Sequence, residues 1–483
     1  MVGQALHKAR FAHLGEVWPL LSATFPFDGV LLGTRRWLLS KRLVTVRQTR
    51  QRPELGNLLI VAPTRSGKGL LAVSQLLTWH HSVIVNDIKG DLFTQTAGFR
   101  SLLGPVYVLD PTGLGHAYDP LQGKATEDAL YSNAAQLLHQ AGEQDQIFTQ
   151  RAITMLACIF MAAQREGVAA LPYARMMLRA GLTGCVERLH TVSPELATIF
   201  LDVSIESASL TDRFLLSAWG TLTARMRPLL TETVVRSLAH SDFTAEQIIL
   251  NPKPVTVYLR WKEQDLLALS PLIRLLWGSL IDELVTTHDQ RAGRGCRPVM
   301  LLIDEAGRTA IPSLADHATT VVGRGISIWL AVQSLSQLEV VYGKARAQVL
   351  RDNMESQLYY RPTDIATARY VEERCGRQSA YAHHTNAQQG GHNSEGRSEQ
   401  AIPLLSAHDF LRYKDHEVIG FHRSLPPFKL ERMDWRQHRL LQQCRTLPAP
   451  ALPTLAPLAD MPMQQTINRA EFIDPDRLVS YSM

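Results

Sequence analysis

Two short stretches carry residue types that could act on a nucleotide. The first is Ala62-Pro63-Thr64-Arg65-Ser66-Gly67-Lys68-Gly69. It follows the apolar run Leu58–Ala62 and precedes Leu70, Leu71, Val73, Leu76 and Leu77, which recur at helical spacing. Strand, glycine-bearing loop and helix is the context in which backbone N–H groups cradle phosphates and a lysine reaches the β- and γ-phosphates. Lys68 is placed for that role. Two positions depart from G-x-x-x-x-G-K-[ST]. Ala62 stands where the first glycine belongs, and Gly69 stands where a hydroxyl would ligate Mg²⁺. Taken alone, these residues could also be a chance Gly-Lys-Gly turn.

The second stretch is RPVMLLIDEAGR, in which an apolar run leads straight into Asp304-Glu305. Asp304 would hold Mg²⁺ through water, and Glu305 would polarise the attacking water. A buried strand ending in acids is common by itself; downstream of a phosphate loop in the same sheet it is specific. Gln333 ends the run ISIWLAV and is placed to sense the γ-phosphate or the water; a polar strand terminus is the alternative. Arg324, just before that run, is a candidate arginine finger toward a neighbouring subunit, with ordinary surface as the alternative.

The elements that position these residues read as an α/β fold. Short apolar runs at 58–62, 82–86, 105–110, 254–261, 297–304, 326–332 and 356–361 alternate with helical stretches, which predicts a mainly parallel sheet. Asp87, Lys89 and Asp91 fall at the C-terminal end of the second run, where open sheets of this kind place ligands. They could equally be a charged strand-to-helix turn. Strand signals vanish between Thr126 and His240, which predicts an inserted all-α domain. The expected division is 1–27, an N-terminal helical segment; 28–125 and 241–435, the two parts of the nucleotide-binding domain; 126–240, the insert; and 436–483, a Pro/Ala-rich tail.

Smaller features follow. Residues 28–46 read as a hairpin, and Glu417–Phe421 as a short edge strand. Thr385–Gln400 has almost no apolar content and is expected to be disordered. His383, His384 and His392 are irregularly spaced with no cysteine near, which argues against a metal cluster. Gln464–Met483 reads as a docking tail or a frayed end.

The chain of 483 residues carries a formal net charge of +5 and 45% hydrophobic residues, enough for a large core and about three domains. The mild basic balance is compatible with a nucleic-acid channel but does not require one. The five cysteines show no Cys-x-x-Cys spacing and read as reduced thiols of a cytosolic protein. No run of about 18 apolar residues occurs, and the N-terminus lacks a signal-peptide layout, so no membrane span is expected.

With both nucleotide motifs placed, the chain resembles type IV secretion coupling proteins, the conjugation ATPases related to FtsK-like motors. The matching blocks include APTRSGKG, IVNDIKGDL, VYVLDP, PVTVYLRW, LLIDEAGR, GRGISIWLAVQSLSQLEVVYG and DNMESQLYYRPTDIATARYVEERCG, spread over residues 28 to 430. The resemblance implies a RecA-like P-loop domain with an inserted all-α domain, binding ATP and Mg²⁺ and working as a homo-hexamer. It implies Lys68, Asp304 and Glu305 in the ATPase site and Gln333 as sensor. Gly69 looks normal within the family. The spacing around Arg324 differs from members with a longer turn, and Arg274 is the reserve finger.

Family members usually begin with transmembrane helices, so a separate membrane-anchor subunit, a soluble branch or a trimmed chain is implied, with the protein cytoplasmic and peripheral to the inner membrane through partners. The expected function is a coupling ATPase that passes relaxase-bound single-stranded DNA, or protein effectors, to a type IV secretion channel. A soluble FtsK-like pump for double-stranded DNA and a weakly hydrolysing recruitment adaptor are the alternatives.

Overall fold

The computed structural model describes residues 8–25, 28–37, 40–49, 54–111, 113–124, 126–139, 146–204, 207–308, 311, 313–387 and 393–458. The chain divides into two compact units, residues 1–110 with 243–453 and residues 111–242 with 454–483.

The first unit is built on a twelve-stranded sheet. In chain order the strands are β1 Leu21–Ser22, β2 Val30–Trp37, β3 Ser40–Val46, β4 Leu58–Val61, β5 Ser82–Asp87, β6 Val106–Leu109 and β7 Thr256–Arg260. They continue with β8 Val299–Ile303, β9 Ile326–Val332, β10 Ser356–Tyr360, β11 Arg377–Ala387, β12 Asn393–Pro403, β13 Glu417–His422 and β14 Phe428–Glu431; β11 and β12 form a separate two-stranded sheet, and the other twelve make up the large one. Seven of them, in the order β6-β7-β5-β8-β9-β4-β10, are parallel. Helices over both faces of such a sheet leave no alternation of polar and apolar residues. β4, β5, β8 and β9 are accordingly buried along their whole length.

The sheet continues antiparallel through β13, β14, β2, β3 and β1. The hairpin expected at 28–46 is β2–β3. Glu417–Phe421 is not an edge: β13 pairs with β10 on one side and β14 on the other. The strand that covers it, FKLE, has only two residues buried, so its run is too short and too alternating to read as a core strand.

Thr385–Gln400 also departs from expectation. β11 and β12 pair antiparallel from Arg377–Pro403 to Ala387–Asn393. An isolated ribbon satisfies its backbone through the ladder, which apolar side chains do not signal. Residues 388–392, with His392, and the side chains of His383 and His384 lie outside the described residues, as does Gln464–Met483. Among the described residues of the N-terminal segment, the helix is Leu14–Val17 and a tight turn, Trp18–Leu20. Ala9 instead donates to the carbonyl of Arg377, and Ala12 to that of Pro427.

In the second unit every described helix between 127 and 236 is α or a short 3-10 turn, with Gln146–Arg165 at the centre. That helix is long and apolar enough to cross a membrane, but 72% of its most apolar window is buried within the protein. Cys158 and Cys185 are buried there, and burial pushes the Cys158 thiol up to about 12. The five cysteines are free.

Candidate functional site

The register of the parallel strands brings four functional positions to one edge. Val61 lies opposite Val332, Leu330 opposite Ile303, and Ile303 opposite Asn86. Ala62, Gln333, Asp304 and Asp87 therefore leave the sheet side by side at the C-terminal ends of β4, β9, β8 and β5. β9 separates the phosphate-loop strand from the acidic strand, so Gln333 emerges between Lys68 and Asp304.

The loop itself is held by its own backbone. Ser66 N donates to Pro63 O at 3.2 Å, Ser66 Oγ to the same carbonyl at 2.6 Å, and Leu70 N to Gly67 O at 3.0 Å. Arg65 and Gly67 take left-handed φ of 64° and 101°. Gly67 is needed on a second count, because a Cβ there would meet the Arg432 side chain at 3.0 Å. Gly67 caps the helix Lys68–Thr78, whose first N–H groups point out of the loop. A Cβ at Gly69 would meet nothing within 4 Å.

Lys68 Nζ lies 2.9 Å from Asp304 Oδ1 and 3.9 Å from Glu305 Oε1. Glu305 has a φ of 56° and donates its N–H to Asp304 Oδ1 at 2.9 Å. Its carboxylate also sits 3.3 Å from Lys89 Nζ and 3.4 Å from Arg308 Nε, although Oε2 makes no hydrogen bond. Gln333 Oε1 accepts from Thr64 Oγ1 at 3.3 Å, which ties the middle strand to the phosphate loop. Asn86 Nδ2 donates to the Asp304 carbonyl at 3.1 Å, while Asn86 Oδ1 is buried without a partner. Asp87 accepts from Leu92 N and Phe93 N and closes the helix Asp91–Leu103; burial pushes its carboxyl up to about 6.

Thr64, Lys68, Asp87, Lys89, Asp304, Glu305 and Gln333 line one cleft of about 710 Å³, the size of a nucleotide pocket. Its donors and shape suit a triphosphate with Mg²⁺: a glycine at 67 whose Cβ would meet Arg432, a lysine, and an acidic pair in which Glu305 Oε2 makes no hydrogen bond. The sequence alone does not reveal Arg432 and Trp435, which also line it. Arg432 donates to Ser66 O at 3.0 Å across 366 residues of chain. Arg445 stacks on the Trp435 ring at 4.5 Å.

Arg324 is not part of this cleft. It lies at the opposite end of β9, roughly 20 Å from Gln333 by strand rise. Its guanidinium is bidentate to Asp289, 2.7 Å on both arms, and also donates to Thr320 O. Arg274 is half-buried on the helix Leu266–Gln290, with Nε lacking a partner.

A phosphate loop on β4, an acidic pair one strand away on β8 and a polar residue ending the strand between them define a RecA-like P-loop domain. The family model for Type IV secretory system Conjugative DNA transfer matches residues 38–455, and the chain belongs to that family. Protein VirD4 of Rhizobium radiobacter is 27% identical over 440 residues, covering 83% of this chain and 60% of its own length. Conjugal transfer protein TraG of Escherichia coli is 26% identical over 399 residues, covering 74% and 61%. The chain thus spans about three fifths of these relatives. Among solved structures, the bacterial conjugative coupling protein TrwBdeltaN70 is similar with a TM-score of 0.60 at 18% identity, covering 86% of this chain and 95% of that one. Plasmid coupling protein TrwB with the ATP analogue ADPNP gives 0.61 at 18%, covering 89% and 94%.

Proposed function

We propose that this chain is the coupling ATPase of a conjugative type IV secretion system, using ATP and Mg²⁺ to pass DNA with its relaxase, or protein effectors, to the channel. The observation that supports it most is the convergence of Lys68, Asp304, Glu305 and Gln333 on one cleft. TrwB, which shares the fold, has been solved with ADPNP and with ADP and Mg²⁺.

Lys68 exchanges its carboxylate partners for the β- and γ-phosphates. The loop residues Ala62 to Gly69 orient those phosphates through backbone N–H groups. Mg²⁺ would supply charge neutralisation, held by Asp304 through water, with Gly69 offering no hydroxyl. Glu305 takes the proton of the attacking water, and Gln333 orients that water or the γ-phosphate. Arg324 completes the neighbouring subunit's site in a homo-hexamer. The active ring works at the cytoplasmic face of the inner membrane, held there by partners.

A second reading, a recruitment adaptor that hydrolyses ATP poorly, is favoured by two observations: the missing hydroxyl at Gly69 and the three cations around Glu305. Turnover with and without single-stranded DNA separates the readings. Lys68→Ala is expected to abolish hydrolysis and weaken ATP binding. Glu305→Gln is expected to keep binding while turnover falls by about 10²–10⁴. Normal turnover in Glu305→Gln would remove Glu305 from the mechanism.

A further inference from the structure

Phosphates and Mg²⁺ use the polar lining of the nucleotide cleft. Its apolar lining, Leu70, Val73, Leu92 and Trp435, has no part in that chemistry. Nor has Arg432, whose guanidinium lies over the phosphate loop at Ser66 and Gly67. We propose that the segment Arg432–Arg436 is a nucleoside-binding lip: Arg432 pairs with a phosphate of the bound nucleotide, and Trp435 together with Leu70 packs its base. This rests on the reading of the cleft as a nucleotide site, and adds the residues that distinguish a nucleotide from a bare polyphosphate.

The lip is pre-formed. β14 ends at Glu431, which lies opposite Thr34 on β2 and Glu417 on β13, and Arg432 N donates to His416 O at 2.7 Å. Met433 is fully buried and plugs the segment into the core. Asp434, buried as well, accepts from Arg436 Nε at 2.8 Å, from Arg436 Nη2 at 2.7 Å and from Arg436 N at 3.0 Å. With both oxygens engaged, Asp434 neutralises Arg436 rather than Arg432. Arg432 is half-buried, commits one N–H to Ser66 O, and has no carboxylate in ion-pair contact among the described residues. A partly desolvated cation without a counter-ion is unfavourable by itself. Seated on a phosphate loop, it is completed by a phosphate oxygen, which the remaining N–H groups of its planar fork can meet.

The place of the base follows from the helix that the loop opens. Leu70 and Val73 lie one turn apart on Lys68–Thr78, so they share a face. Val73 is five residues beyond Lys68, about 7.5 Å along the helix axis, within reach of the nucleoside when the phosphates lie at Lys68. Trp435 is half-buried, with Arg445 over its ring, and the part that stays open lines the same cleft. An indole and two aliphatic side chains give a flat heterocycle apolar area to cover. They offer it no hydrogen bond, since Trp435 Nε1 is itself buried, so this wall favours having a base over lacking one and does not choose among bases.

The test uses the full chain at fixed Mg²⁺, with ADP and inorganic tripolyphosphate as probes and calorimetry as the readout. Trp435→Ala is expected to weaken ADP tenfold or more and to leave tripolyphosphate within twofold of native. Leu70→Ser, on the helix and not on the lip, should weaken ADP at least threefold with the same indifference to tripolyphosphate. Unchanged ADP affinity in either variant, or equal losses of both probes, overturns the base subsite. Arg432→Ala is expected to weaken both probes tenfold or more and to flatten the salt dependence of their affinity, because a cation facing the phosphates is gone. A loss that keeps the native salt dependence would mean that Arg432 acts only by tethering Ser66; that result, or unchanged affinity, overturns its contact with phosphate. A native chain that binds neither probe overturns the nucleotide reading itself, whereas native ADP binding matched by all three variants overturns the lip alone.

Discussion

Lys68 and Asp304 neutralise each other across 2.9 Å while only 12% and 20% exposed. Partial burial makes such a pair stronger than a surface one, and breaking it leaves a costly unpaired charge. Nucleotide with Mg²⁺ replaces both partners together, so phosphate and cation are expected to bind cooperatively. Gly69 bears on the cation half. Because a Cβ there has open space, its lack of a hydroxyl is not imposed by packing. Gly69→Ser is therefore expected to fold normally and to lower the Mg²⁺ concentration for half-maximal nucleotide binding about fivefold, equivalent to about 1 kcal/mol. An unchanged Mg²⁺ titration would show that the position does not face the cation.

Asp87 makes a pH-dependent prediction at the same scale. Burial raises its carboxyl to about 6 despite two backbone donors and Arg260 nearby. A raised folded-state value means the folded chain holds the proton more tightly than the unfolded one. The group's contribution is then most favourable below about pH 4 and declines as pH rises to about 6. The stability of the native chain minus that of Asp87→Asn should fall across that window and stay flat above pH 7. The total change is on the order of 3 kcal/mol at most. Thermal melts of both proteins from pH 4 to 8 check it, and a constant difference would contradict it.

At the scale of elements, the helical insert leaves and returns at neighbouring points. Tyr107 and Phe243, at the two ends of the first unit's break, stack with ring centroids 4.9 Å apart. Within the second unit Asp242 N donates to Ala117 O at 3.0 Å, and Tyr118 N to Ser237 O at 2.8 Å. Closing so short a gap costs little loop entropy. Replacing residues 120–236 with a short Gly/Ser linker is expected to leave nucleotide binding within about 1 kcal/mol, roughly fivefold. Calorimetric titration of the excised protein tests this; an insoluble product would mean that the helices belong to the main core.

The parallel strands were legible for the same reason the sheet is stable. VMLLI and ISIWLAV are buried on both faces, so they stand out as unbroken apolar runs. The β11–β12 ribbon and β14 were not legible. Their backbones are satisfied by pairing alone, and their side chains alternate or stay polar. Lys68, Asp304, Glu305 and Gln333 could be read from local pattern because each ends or follows a buried run. Arg432 and Trp435 reach the cleft from a distant part of the chain, and nothing around them in sequence signals a phosphate loop. The ion pair between Arg324 and Asp289 was equally hidden, since it depends on how a helix end meets a strand start.

For the whole molecule, that ion pair bears on assembly. Arg324 is roughly a strand's length from its own chain's cleft, so it can act on a nucleotide only in a neighbouring copy. In the isolated chain both arms of its guanidinium are held by Asp289. The pair is partly exposed, so water and salt compete with it and weaken its hold. Where arginine fingers have been measured they contribute about 10³–10⁵ in rate. A dilute chain should then hydrolyse ATP slowly, and its specific activity should rise with protein concentration as rings form. Arg324→Ala and Glu305→Gln should each be nearly inactive alone. Mixed, they build interfaces in which an Arg324→Ala subunit contributes an intact Lys68 and Glu305, and its Glu305→Gln neighbour contributes an intact Arg324. Such interfaces carry every required group, so the mixture should regain part of the native turnover. Specific activity that stays flat with concentration, with no recovery on mixing, would sink the shared site and leave Arg324 as a surface partner of Asp289.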